Sequence, residues 1–358
     1  MKRFLPALFA GALICLLLVE LLLRCLPVNS GARMASTDAS QPYARYLPHQ
    51  AYVYSHGWQL ANARQGETNG RGFTHSIDTP QPGGLLIVGD SYIESLMLDE
   101  AQTVQGQLAA RHPGQVAAIS AGANGLADAV KIVERFAPDF RPASIILFVE
   151  PYDLRELLSP APAGHNAFVV DQDSVRIEHS PYTESPHKQH LLKSALFRYA
   201  YYNLKLTDWL NNRLHRENPE PATVDRSKLQ KMVLSAWFEQ LLALEKQYGH
   251  RTLLLIDADR GQLYRPDSPQ AASWYAGDRQ TLLDMAAAKG IPSIDMAPIF
   301  ASHWAEHHAR FDWLPADGHW NPRAHALAAA AITARLTDLD TAADGRHPKT
   351  SGYSPTSP

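Results

Sequence analysis

Three patterns of apolar and polar residues follow one another along the chain. From Phe4 to Leu23 almost every residue is apolar, and Glu20 is the one ionisable side chain. An α-helix rises about 1.5 Å per residue, so roughly twenty residues cross a hydrocarbon core, and this run predicts a membrane-spanning helix. Residues 27–82 hold no sustained period and are rich in Pro, Gly, Gln and Asn. They predict a stalk followed by a loop-rich lead-in. From residue 83 short apolar runs alternate with helical periods. Strands are expected at Leu85–Val88, Val116–Ile119, Ser144–Val149, Thr252–Ile256 and Ile291–Asp295. Helices are expected at Thr103–Arg111, Leu126–Phe136, Ser227–Tyr248, Arg279–Lys289 and Asn321–Leu336.

Strands that alternate with helices form a parallel sheet covered on both faces. Right-handed crossovers then give a doubly wound, three-layer α/β/α sandwich over residues 83–340. Active groups collect at the carboxyl ends of such strands, which directs attention to the loops after Val88, Ile119 and Val149. One interruption, at about 155–225, is too long for an ordinary connection. Its aromatic stretch Leu191–Tyr202 predicts a helix packed on the core; a lid or acceptor-binding surface is the functional alternative. The tail, 341–358, is expected to be disordered.

Composition narrows the classes. The chain has 358 residues, a formal charge of −3 and 45% hydrophobic residues. That suffices to bury a real core and leaves no electrostatic footprint for nucleic acid. The two cysteines, Cys15 and Cys25, lie in or beside the apolar run. Arg24 precedes Cys25 where lipid attachment requires a small residue. Lys2 and Arg3 favour the cytoplasmic side for the N-terminus and send residues 27 onward to the exterior or periplasm. A cleavable signal requires a shorter apolar core and a nearer small-residue site than Ala32, Ala35 or Ser36, so an uncleaved inner-membrane anchor over residues 1–26 is expected. Glu20 lies close enough to the outer end of the run to reach the headgroups.

The chemistry concentrates in two places. Leu86-Ile87-Val88-Gly89-Asp90-Ser91-Tyr92 runs a buried strand into Gly-Asp-Ser. Ser91 then stands at the strand's carboxyl end, where N–H groups of a helix start can hold an oxyanion. The plain alternative is an Asp/Ser helix cap. A serine hydroxyl needs a base, and Asp317-Gly318-His319 offers one, with the carboxylate close enough to orient the imidazole. Asn321 and Pro322 suit the start of the closing helix.

Together these blocks resemble the SGNH/GDSL superfamily of hydrolases and acyltransferases, over roughly residues 69–337. In that superfamily a Gly-Asp-Ser block carries the nucleophile and a C-terminal block carries Asp and His, in the order found here. The resemblance implies Ser91, Asp317 and His319 as the catalytic set on a sandwich of the kind described. Asn69-Gly70-Arg71-Gly72-Phe73 is similar to a lead-in of membrane-anchored, polysaccharide-associated members. The last block is Asp-x-His rather than the usual Asp-x-x-His, and with Trp320 and Asn321 it looks like that of alginate O-acetylation proteins, where the pair precedes the serine. For the oxyanion, the resemblance implies the Ser91 N–H and a glycine after the second strand, Gly122, with Gly125 in reserve. At the place of the usual third-block asparagine stands Tyr152; either Tyr152 or Asn124 is expected to replace that donor.

His303 and His307, four apart beside His308, lack an obvious third ligand, so no metal and no cofactor are expected. Asp257 and Asp259 suit a structural cap or turn, and His325 is expected to face solvent or the sheet. Three functions compete: an esterase or deacetylase acting on an extracytoplasmic glycan, an O-acyltransferase modifying an exported polysaccharide, and a non-catalytic glycan-binding or assembly subunit. The partners implied are an acyl-ester or glycan substrate, the membrane, and polysaccharide-biosynthesis proteins.

Overall fold

The computed structural model describes residues 4–75, 77–172, 174–207, 226–266, 274–314 and 317–343. Five parallel strands form the central sheet: β3 (Leu85–Gly89), β4 (Val116–Ser120), β5 (Ser144–Val149), β8 (Arg251–Ile256) and β9 (Ser293–Asp295), in the order β4-β3-β5-β8-β9. Successive side chains of a strand point to opposite faces, and both faces here are apolar. Leu86, Val88, Ile145, Leu147 and Leu254 pack on one side against α4 (Leu126–Phe140), α8 (Arg226–Tyr248) and α10 (Trp274–Ala288). Ile87, Ala118, Ile146 and Leu255 pack on the other against α3 (Val104–Arg111), α11 (Met296–His307) and α12 (Pro322–Ala343). Each fully buried Leu, Ile or Phe contributes about 1.5–3 kcal/mol. The expected α/β/α sandwich is present, and α12 reaches Ala343; the remaining tail residues lie outside those described.

The N-terminal helix α1 (Phe4–Arg24) contains a stretch, Pro6–Arg24, long and apolar enough to cross a membrane, with mean hydropathy 2.5.

Residues 27–82 differ from the expected stalk. They are bonded into the domain and carry an antiparallel hairpin, β1 (Ala51–His56) with β2 (Ala61–Glu67). Phe73 of the lead-in is fully buried, edge-on to Phe136 of α4. Asn69 folds the lead-in by accepting from the N–H groups of Arg71 and Phe73 and donating to the His75 carbonyl. Gly72 has φ +87°, and a Cβ there would lie 2.2 Å from the Tyr46 carbonyl oxygen, so only glycine fits.

The interruption holds a second hairpin, β6 (Asn166–Asp171) with β7 (Ser174–His179), followed by α6 (Pro186–Leu191), α7 (Ala195–Arg198) and one π-helical turn, Tyr199–Asn203. The aromatic stretch 191–202 is thus broken into short pieces. It does not pack on the sheet core: Ala195, Leu196 and Tyr199 pack on Leu23 and Val28, at the end of α1.

Candidate active site

Ser91 is the first residue of a short helix, α2 (Ser91–Glu94), that leaves the carboxyl end of β3. The turn is tight because a Cβ on Gly89 would lie 2.3 Å from Ile93 Cγ1. Asp90 caps the helix, its Oδ1 accepting the Tyr92 N–H at 2.8 Å. The N–H of a first helical residue has no partner within its helix and can serve an incoming anion.

Ser91 Oγ lies 2.8 Å from His319 Nε2, and His319 Nδ1 lies 2.5 Å from Asp317 Oδ1. Asp317 and His319 belong to a short strand, β11 (Asp317–Trp320), paired with β10 (Asp312–Leu314). Burial pushes the Asp317 carboxyl up, but the hydrogen bonds and charge of His319 outweigh it and hold the group below its ordinary range. The carboxylate therefore stays ionised and fixes Nδ1 as the protonated nitrogen, leaving Nε2 to accept from the serine.

The residues that hold this pair in place were not evident in the sequence. The Tyr92 ring lies 4.9 Å from the His319 ring, and Arg260 Nη2 donates to the Tyr92 hydroxyl at 3.2 Å. Buried Asp257, at the end of β8, accepts from Trp320 Nε1 at 2.9 Å, from Arg260 Nη2 at 3.1 Å and from the Ala258 N–H at 2.8 Å. Arg260 also pairs with Asp312 of β10. Asp259 caps α9 (Arg260–Tyr264) through the Gln262 N–H, so both aspartates are structural. His325 differs from the solvent- or sheet-facing position expected. It is fully buried, bonded to Ser95 Oγ at 3.0 Å and accepting the Val104 N–H at 3.1 Å. Asn321 caps α12 by accepting from the N–H groups of Arg323 and Ala324.

The oxyanion candidates separate. Gly122 lies against Ser91, since a Cβ on it would be 4.0 Å from Ser91 Cβ. Asn124 is 6% exposed and lines a cavity with Ser91; its Nδ2 donates to the Gly89 carbonyl at 3.1 Å. That bond identifies the nitrogen and leaves a second N–H on it. Gly125 precedes α4, its N–H held by Asp128 Oδ2 at 2.9 Å. Tyr152 lies in α5 (Pro151–Arg155), lines the same cavity and is 51% exposed.

Ser91 opens on two sides. The cavity of about 340 Å³ is lined by Asn124 and Tyr152 and by the carboxyls of Asp90, Asp128, Glu150, Asp153 and Glu156. Burial pushes Asp90 up to about 7 and Glu150 to about 10, and carries Asp153 well above the carboxylate range. Burial thus favours the neutral form of these three carboxyls. On the other side a cleft of about 180 Å³ is lined by Asn29, Tyr54, Tyr202 and Lys205, together with Ser91, Asp317 and His319. Among the described residues, no group of three or more His, Cys, Asp or Glu side chains could hold a metal ion. The His303 and His307 rings meet edge-on on α11, their centroids 4.4 Å apart.

Residues 214–356 match the family described as SGNH hydrolase-like domain, acetyltransferase AlgX. The match takes in Asp317 and His319 but not Ser91. No curated protein matches the sequence. Similar solved structures include LAE5, an alpha/beta hydrolase enzyme from the metagenome of Lake Arreo, Spain, at 12% identity and TM-score 0.42, over 74% of this chain and 99% of that one. The acetyl xylan esterase AlAXEase matches at 11% identity and TM-score 0.41, over 70% and 99%. A catalytic mutant of Axe2, an acetylxylan esterase from Geobacillus stearothermophilus, matches at 12% and 0.39, over 72% and 95%. Likenesses this distant carry no functional weight beside the geometry of the site. The chain is thus similar to SGNH hydrolase-like domains over residues 214–356, on an α/β sandwich fold.

Proposed function

We propose that the protein is a serine-dependent acyl-ester hydrolase acting on an extracytoplasmic glycan or another acyl ester. The unbroken hydrogen-bond chain from Ser91 through His319 to Asp317 carries this reading. As Ser91 Oγ attacks the ester carbonyl carbon, its proton passes to His319 Nε2, and Asp317 stabilises the imidazolium. The Ser91 N–H and the second N–H of Asn124 Nδ2 stabilise the carbonyl oxygen as it gains charge. The tetrahedral intermediate collapses, His319 returns the proton to the departing alkoxide, and Ser91 is left acylated. A water then repeats the sequence and releases the acid.

The family description favours a second reading, in which a sugar hydroxyl takes the place of that water and the product is an O-acylated glycan. The apolar N-terminal helix supports an anchor in the inner membrane with the domain outside.

Release of nitrophenol from nitrophenyl acetate tests the shared step. Ser91→Ala and His319→Gln are each expected to lower turnover by about 10⁴-fold or more. Activity unchanged by either substitution removes the nucleophile assignment. Acetylated oligosaccharide formed when an acceptor is added identifies the transfer reaction.

A further inference from the structure

The end of α1 is locked to the domain. Glu20, the one ionisable residue of the apolar run, accepts from Ser194 Oγ at 2.8 Å and from the N–H groups of Ala195 and Leu196 at 3.0 and 2.8 Å, so it caps α7 from outside. Arg24 pairs with Glu20 at 2.8 Å and reaches the Lys193 carbonyl. Leu23, Val28 and Ala195 are buried together beneath Leu60, Leu196 and Tyr199. Beyond the helix, the Asn29 N–H donates to Asn203 Oδ1, Asn29 Nδ2 donates to the Ser55 carbonyl, and the Ser30 N–H donates to the Val53 carbonyl. No free linker separates helix and domain.

The surface around this joint is apolar and basic. Trp58, at the tip of the β1–β2 turn, is 74% exposed, and its carbonyl is held by the Tyr199 hydroxyl at 2.6 Å. Leu26 and Leu191 are 42% and 48% exposed. Lys193, two residues after Leu191, and Lys205, between the exposed Leu204 and Leu206, are exposed as well. Exposed tryptophan together with Lys and Arg at the end of an apolar helix suits a headgroup layer, above all an anionic one. The cleft beside the triad lies close by. Asn29 lines it, and five residues of extended chain span at most about 18 Å from Arg24.

We infer that Trp58, Leu26 and Leu191 with the lysines around them form a membrane-resting surface, clamped by Glu20, which holds the Ser91 cleft at a fixed height above an anionic lipid surface. The inference rests on α1 spanning a membrane and is independent of the chemistry at Ser91. Resting on lipid buries apolar area that would otherwise face water, and the clamp removes the rotational freedom that a linker would allow.

The test uses the full chain in vesicles of phosphatidylcholine and phosphatidylglycerol, with Cys15→Ser and Cys25→Ser as background. A fluorophore is placed by Trp58→Cys or, as control, by Lys246→Cys near the end of α8. Headgroup nitroxide lipids are expected to quench the label at 58 at least about threefold more than the label at 246. Adding Glu20→Ala is expected to bring the two to the same level, while hydrolysis of soluble nitrophenyl acetate stays unchanged. Equal quenching at both positions with Glu20 intact overturns the inference, as does a difference that survives Glu20→Ala. Neither result depends on the Ser91→Ala experiment, so failure of the surface and failure of the nucleophile are separable.

Discussion

Strands β5 and β1 are each six residues long, yet β5 is buried at every position and β1 only at Ser55. The first is held by apolar burial on two faces. The second is held by one partner strand and by polar bonds to residues far along the chain, such as those joining Ser55 to Asn29 and Asn203. Both border Ser91. The sheet end supplies Ser91 and Asn124, whereas the collar of residues 27–75 and 155–207 supplies Asn29, Tyr54, Tyr202 and Lys205 to the open cleft. The candidate site thus takes Ser91 from a well-packed core and part of its walls from segments with hardly any core of their own.

Phe73 is the sharpest challenge to that division, because it belongs to the collar in sequence and to the core in burial. Phe73→Ala is expected to cost about 3–5 kcal/mol in chemical denaturation, against less than about 0.5 kcal/mol for the exposed Trp58→Ala in the detergent-solubilised protein. Similar costs for both would erase the distinction.

Within the site the same contrast sets Asn124 against Tyr152. Asn124→Ala is expected to lower turnover by about 10²–10³, because its donor acts in a buried setting, and Tyr152→Phe by less than about threefold. The reverse order in steady-state kinetics would transfer the oxyanion role to Tyr152.

A pH-dependent effect concerns His325, which joins α2 to α3. Burial depresses its pKa from 6.5 to about 3. The unfolded chain therefore binds a proton between those values that the folded chain does not. The stability this supports is complete above pH 6.5 and falls as pH is lowered, by about 1.4 kcal/mol per unit, until pH reaches about 3. His325→Gln should flatten that part of the stability curve measured by denaturation; an unchanged slope would assign acid lability to other groups.

What was legible in the sequence follows from these energetics. Apolar runs of the sheet announce themselves, so Ser144–Val149 is found at the residues expected and the other four strands within a few residues of their observed bounds. The Gly-Asp-Ser turn and the Asp-x-His pair were legible because each is local. The hairpins β1–β2 and β6–β7 were not: Ala61–Glu67 reads as loop because its stabilisation comes from ladder bonds and distant side chains rather than from burial. Arg260 and Tyr92 escaped for a related reason. Each has ordinary sequence neighbours, and they meet only when the ends of β3 and β8 come together around Asp257.

Asp257 has a consequence of its own. One carboxylate at the end of β8 holds Trp320, the residue after His319, and Arg260, which in turn holds Tyr92 and the strand partner of β11. Displacing the imidazole would mean breaking charged bonds in a buried setting. The Asp317–His319 pair therefore shares the cooperative unit of the sheet, and its alignment persists for as long as the domain stays folded.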